Sequence, residues 1–175
     1  VRRETTPAKL EQFMSALGRR VRGPGIIYLT GGATALLHHW RAITIDIDIK
    51  PDPEPAGIFE AIAALKEELD VNVELASPDQ FIPALPGWRE RSLFIATHGP
   101  LQFYHYDLYG QALAKLQRHH DRDVQDVLAM VRDGLVGVEL LWALFIQMEP
   151  GLLRYPAIHA PTFRAAVQDF CHVQR

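Results

Sequence analysis

The sequence has one cysteine, Cys171, in 175 residues. A lone thiol cannot close an internal disulfide, and the opening stretch VRRETTPAKLEQF turns amphipathic at once, without an apolar leader core. An intracellular, cytoplasmic protein is therefore expected. Long apolar runs are also missing. The most apolar stretch, Val138 to Met148, contains Glu139 and Gln147 and falls well short of the roughly 18–20 residues of a membrane span, so no membrane partner is expected. An excess of basic charge is absent too: the formal net charge is -3 and the pI about 6.2. No global field advertises nucleic acid, although net charge is silent about a local basic groove. No internal repeat or low-complexity tract appears. What remains is an ordinary globular composition, 48% hydrophobic and 22% charged, long enough to bury a sizeable core.

Apolar spacing organises the chain into a mixed α/β half and a helical half. Leu10, Phe13, Met14, Leu17 and Val21 predict a helix over 8–21, ended by Gly23-Pro24-Gly25. A strand over Ile26–Leu29 stops at Thr30-Gly31-Gly32, a short helix covers Ala33–His39, and a strand runs over Ile43–Ile49. Pro51, Pro53 and Pro55 then impose an extended loop. A helix over Gly57–Leu69 carries Ile58, Phe59, Ile62, Leu65 and Leu69 on one face; a strand follows over Val71–Leu75, then a hairpin of Ser92–Thr97 and Leu101–Tyr106. Helices are expected over 108–118, 122–133, 137–148 and 162–173, with Gly151–Pro161 as a hinge or surface loop. The division expected is a core over 1–107 and a helical part over 108–175, forming one compact unit.

Alternation on the strand TIDIDI points Ile45, Ile47 and Ile49 to a core, and Asp46 and Asp48 to the other face. Two carboxylates that close raise each other's pKa unless a cation intervenes, and oxygen ligands suit magnesium. Taken alone, the pair also fits a solvated edge strand. Glu74, on the polar side of Val71–Leu75, completes a three-carboxylate cluster if the two strands pair; by itself it fits a surface glutamate equally well. Such a cluster holding two metal ions is a standard device for phosphoryl and nucleotidyl transfer. Gly31 and Gly32 would let a backbone approach phosphate closely, and Thr30 and Thr34 would add hydroxyl donors. The same glycines also fit a tight turn with no ligand.

In that order, Leu29-Thr30-Gly31-Gly32-Ala33, then Arg41 and Thr44, then Asp46-Ile47-Asp48, resembles the signature of the polymerase-β-type nucleotidyltransferase superfamily. More narrowly it resembles small bacterial nucleotidyltransferases near the AbiEii toxins of toxin–antitoxin systems. The likeness is specific through residues 28–50, looser to about residue 133, and absent from the last forty or so. Lys115 followed by Arg122-Asp123-Val124-Gln125-Asp126 carries the second part of it. The resemblance implies that Lys115 contacts nucleotide phosphates with an Asp of the next helix nearby, Asp123 being assigned to the nucleotide. Without it, Lys115 reads as a surface lysine, and Asp123 and Asp126 as carboxylates favoured in a first helical turn. Glu74 departs from the pattern, in which the third carboxylate is usually Asp.

His38-His39 and His119-His120 diverge by about 100° within each pair on a helix, so neither chelates like an i, i+4 pair. They are read as partly exposed helix-end residues. Asp107, on one face with His105, is a reserve third carboxylate. Trp88, Trp142, Tyr104, Tyr106 and Tyr109 are read as packing residues rather than base platforms. Arg41 and Thr44 brace the strand or touch the nucleotide, the structural role being favoured. Val138–Met148 is a central core helix or part of a dimer face.

The expectation is thus a small mixed sheet packed with helices, followed by a helical part. It would transfer a nucleoside monophosphate from an NTP to an acceptor hydroxyl of RNA, such as tRNA, or of protein. Asp46, Asp48 and Glu74 would hold two magnesium ions, or manganese in their place. Thr30, Gly31 and Gly32 would seat phosphates and Lys115 would neutralise charge. An antitoxin or a second copy of the chain is the expected partner. The alternatives are a degenerate nucleotidyltransferase fold that binds without turnover, and an oligomeric interaction protein.

Overall fold

Thr6 opens the first helix, its hydroxyl accepting the Lys9 N–H at 3.2 Å, an N-cap followed directly by Pro7, whose fixed φ suits the first turn. A computed structural model describes residues 3–175. Helix α1 spans Pro7–Arg20 and buries Leu10, Phe13, Met14 and Leu17 completely. The chain continues as β1 (Gly25–Thr30), α2 (Gly31–Leu37), β2 (Asp46–Pro51), α3 (Ile58–Glu68) and β3 (Asn72–Leu75). After these come α4 (Trp88–Arg91), the hairpin β4 (Leu93–His98) and β5 (Leu101–His105), then α5 (Leu108–Arg118), α6 (Asp121–Arg132), α7 (Val138–Met148) and α8 (Ala160–Val173).

The five strands make one mixed sheet in the order β3-β2-β1-β5-β4. β1 pairs antiparallel with β2 and parallel with β5; β2 pairs parallel with β3, and β4 antiparallel with β5. The architecture is mixed α/β, as the periodicity predicts. The chain divides into two compact units: one runs to Ser77 and resumes at Leu93–Tyr106, the other joins Pro78–Ser92 to Asp107–Arg175. The sequence puts the break at residue 107 and counts 78–92 with the core. The local contacts of that segment explain the difference. Arg91 grips Asp107 with two hydrogen bonds, of 3.2 and 2.7 Å. The Ser92 hydroxyl accepts the Asp107 N–H at 3.1 Å.

In the first unit one sheet face is apolar. Ile27, Leu29, Ile47, Ile49, Val73, Leu101 and Phe103 pack with residues of α1 and α3 into one core. Their alternate neighbours form the polar face. The strand over Ile43–Ile49 begins at Asp46, because Thr44 is spent on an isolated bridge to Thr5, with backbone bonds of 2.7 and 2.9 Å. Phe59 is 49% exposed, while Ile58, Ile62 and Leu65 point inward. The longer run of periodic residues on α3 is wider than the face the sheet covers.

The second unit is helical. α7 is one-sided despite its apolar sequence: Leu141, Leu144, Phe145 and Met148 are buried, whereas Leu140 and Ile146 are 43% and 40% exposed. Phe145 stacks on Trp142 and meets Phe163 edge-on, with ring centroids 5.5 and 5.1 Å apart. His119 and His120 are exposed in the turn between α5 and α6, where they were expected. Among the described residues no helix is long and apolar enough to cross a membrane.

Candidate functional site

Asp46 and Asp48 stand two residues apart on β2, both half-buried on the polar face, while Ile47 and Ile49 between and beyond them are buried. Parallel pairing sets Asp48 level with Glu74 and Asp46 level with Asn72. Paired residues share a face, so three carboxylates lie on one side of the sheet. Glu74 is exposed at the open edge. The sequence reading missed Asn72, whose side-chain amide donates a hydrogen bond to the Asp46 carboxylate. The signal was available: Asn72 and Glu74 alternate in the same way as Asp46 and Asp48. This amide offsets part of the repulsion between Asp46 and Asp48 without any cation. An all-oxygen donor set on one face fits a hard divalent ion. Among the described residues, however, no three His, Cys, Asp or Glu side chains are gathered closely enough to hold one.

The glycine turn is built around these carboxylates. Thr30, 6% exposed, ends β1 level with Asp48. Gly31 follows with φ +59°, a left-handed conformation that costs an L side chain about 1–2 kcal/mol. A Cβ there would stand 2.9 Å from the Asp48 Oδ2. Gly32 is glycine for another reason: a Cβ would meet the Thr44 hydroxyl oxygen at 1.9 Å and its Cβ at 2.7 Å. Thr44 in turn donates to the Asp46 carbonyl at 3.3 Å, so it braces the strand. Gly32 and Thr30 are buried; Gly31 is the member of the turn that reaches the surface.

Behind the turn sits a histidine pair. His105 Nδ1 and Thr34 Oγ1 are hydrogen-bonded at 3.0 Å, and the His105 and His38 rings lie 4.5 Å apart, with Trp40 stacked on His38 at 4.7 Å. Burial, assisted by the positive charge of His38, pushes the His105 pKa down to about 3. His105 is neutral at any physiological pH.

Lys115 and Asp123 lie in the second unit, and both are buried. The Lys115 ammonium donates to Asp126 at 2.8 Å and stands 3.4 Å from Asp123, which Arg118 also reaches at 2.7 Å. An Asp of the following helix is thus beside Lys115. The lysine itself is no surface residue. Asp107 is spent elsewhere: fully buried, it caps α5 through the Tyr109 N–H at 3.1 Å and pairs with Arg91.

The model of a family described as "Nucleotidyltransferase of unknown function (DUF6036)" matches residues 8–172 of the chain. No curated protein and no solved structure matches it.

Proposed function

Since the chain belongs to this nucleotidyltransferase family of unknown function, we propose that it transfers a nucleoside monophosphate from an NTP to an acceptor hydroxyl at the polar face of β2. One observation carries the reading: Asp48 lies against Gly31, level with Glu74 and two residues from Asp46. Phosphates, carboxylates and an attacking oxygen can meet at that point.

The acceptor oxygen attacks the α-phosphorus and forms the new P–O bond. The bond from that phosphorus to the bridging oxygen breaks, and pyrophosphate leaves with the electron pair. The hydroxyl proton passes to a carboxylate, for which Glu74 is the exposed candidate, and then to solvent. Asp46 and Asp48 would hold magnesium or manganese; Glu74 would become the third ligand only by moving toward them, since the three are not gathered around one point. Such an ion, when bound, supplies charge stabilisation to the phosphates and lowers the pKa of the attacking group. Gly31 offers its backbone to the phosphates, while Thr30 and Gly32 hold the turn in shape. Lys115 and Asp123 keep the roles that the resemblance implies as part of this proposal. So does the narrower placing near AbiEii-like toxins, with an antitoxin as partner.

The competing reading is a nucleotide-binding protein without turnover. The observation on its side is Asn72, which engages Asp46 where a metal ion would sit. Titration calorimetry of each NTP with and without magnesium tests the site, on the wild type and on Asp46→Asn/Asp48→Asn. Magnesium-dependent binding lost in the double variant is expected. Equal binding by both proteins removes the carboxylates from the function. Tight binding with no pyrophosphate release across a panel of RNA and protein acceptors favours the competing reading.

A further inference from the structure

The polar face carries a second row beside the acidic one. Register sets Lys50 of β2 opposite Tyr28 of β1, Tyr28 opposite Tyr104 of β5, and Tyr104 opposite Phe94 of β4. The row therefore crosses four strands on the face that bears Asp48. Tyr28 is buried and backs Tyr104, their centroids 5.9 Å apart. Tyr104 is half-buried, its hydroxyl held by Gln102 at 3.3 Å. Phe94 meets Tyr104 edge-on at 5.5 Å and is 58% exposed. The register shifts just after Phe94, a bulge that bends the strand beside this ring. An exposed phenylalanine held by a second ring is a poor packing choice and a good stacking surface.

We propose that this row is the acceptor subsite, and that the acceptor is a single-stranded polynucleotide presenting its 3′ hydroxyl to the carboxylates. The proposal rests on the nucleotidyltransfer reading and names its substrate. Along β1 the row lies on one side of Asp48 and the glycine turn on the other. In-line displacement puts leaving group and attacking oxygen on opposite sides of the phosphorus. With pyrophosphate toward Gly31, the acceptor enters from the aromatic side. Phe94 is three strands across from Asp48 and one row along, about 16 Å at ordinary strand spacing. One nucleotide cannot place its base on Phe94 and its reacting end at Asp48, so the NTP's own base and a small acceptor are excluded from this ring. A strand of several nucleotides spans the gap, and Lys50 lies at the β2 end of the same row. Aromatic stacking with backbone attraction is the usual means of holding single strands without sequence preference.

Anisotropy titration of a fluorescein-labelled, mixed-sequence RNA of about ten nucleotides tests this, without NTP or metal. Phe94→Ala is expected to weaken binding by about 5- to 150-fold, the range for one stacked base. Phe94→Trp is expected to match or exceed the wild type, and calorimetric NTP–magnesium binding to be unchanged in both. No RNA binding by the wild type overturns the proposal, as does equal binding by wild type and Phe94→Ala. A loss of NTP binding in Phe94→Ala assigns the ring to the nucleotide and also overturns it. Pyrophosphate release with a protein acceptor and none with RNA does the same. Phe94-dependent RNA binding by a wild type that binds no NTP upholds the stacking row and overturns the nucleotidyltransfer reading alone.

Discussion

Gly31→Ala separates backbone strain from site chemistry at one atom. The residue has φ +59°, so an added Cβ costs about 1–2 kcal/mol from the left-handed backbone alone. The same Cβ would stand 2.9 Å from the Asp48 Oδ2, and ordinary van der Waals contact requires that oxygen to withdraw by about half an ångström. A carboxylate at the end of a side chain yields cheaply, so the stability loss comes almost entirely from the backbone. The loss of function comes from the displaced carboxylate. Urea unfolding of wild type, Gly31→Ala, Asp48→Ala and the double variant measures the first quantity. The expected loss is about 1–2 kcal/mol in both backgrounds, with a coupling below about 1 kcal/mol. NTP–magnesium affinity, measured with Asp48 present, should fall about tenfold or more. Gly23→Ala is the control: its Cβ meets nothing nearer than 3.8 Å, and the shorter list of unfolded conformations makes it neutral or slightly stabilising. A Gly31→Ala protein as stable as this control would refute the backbone account. A penalty that disappears in the Asp48→Ala background would show that crowding, and not φ, is the cause.

Three further outcomes follow from a buried neutral histidine and two buried ion pairs. His105, with its pKa pushed down to about 3 from about 6.5 unfolded, must bind a proton on unfolding in acid. Its contribution is therefore fully present above pH 6.5 and is lost as the pH falls toward 3, about 2 kcal/mol by pH 5. His105→Gln should flatten the dependence of the urea midpoint on pH between 5 and 7. Lys115→Met leaves Asp123 and Asp126 buried without their ammonium and should cost about 3–5 kcal/mol; adding Asp126→Leu should recover much of it in thermal melts. Arg91→Ala strips the bidentate partner from Asp107, whose side chain is 0% exposed. It should cost a similar few kcal/mol, whereas Arg89→Ala, on an exposed neighbour, should leave the melting temperature nearly unchanged.

Most elements were legible because their causes are local. A period of two on Asp46–Ile49 and a period near 3.6 on α1 and α3 depend only on which side chains a core can accept. The opposed faces of Asp and Ile on β2 came from that alternation alone, and so did the expectation that Glu74 shares the carboxylate face if the strands pair. The residues that escaped notice act across strands. Asn72 matters only because β3 pairs with β2 in the register that sets it beside Asp46. Tyr104 reads as a packing residue, and Phe94 draws no notice, until the sheet order places them in one row with Tyr28 and Lys50. Asp107 looked available until Arg91, sixteen residues earlier, closed on it.

The amino-acid sequence alone therefore determined the mixed α/β class, the succession of the strands and of every helix but the short α4, the glycine turn and the carboxylate strand, since these follow from local side-chain polarity and spacing. The tertiary structure alone decided strand order and register, the assignment of 78–92 to the helical unit, the burial of Lys115, and which atom each glycine makes room for. Those depend on distances between residues far apart in the chain, and no local pattern of polarity encodes them.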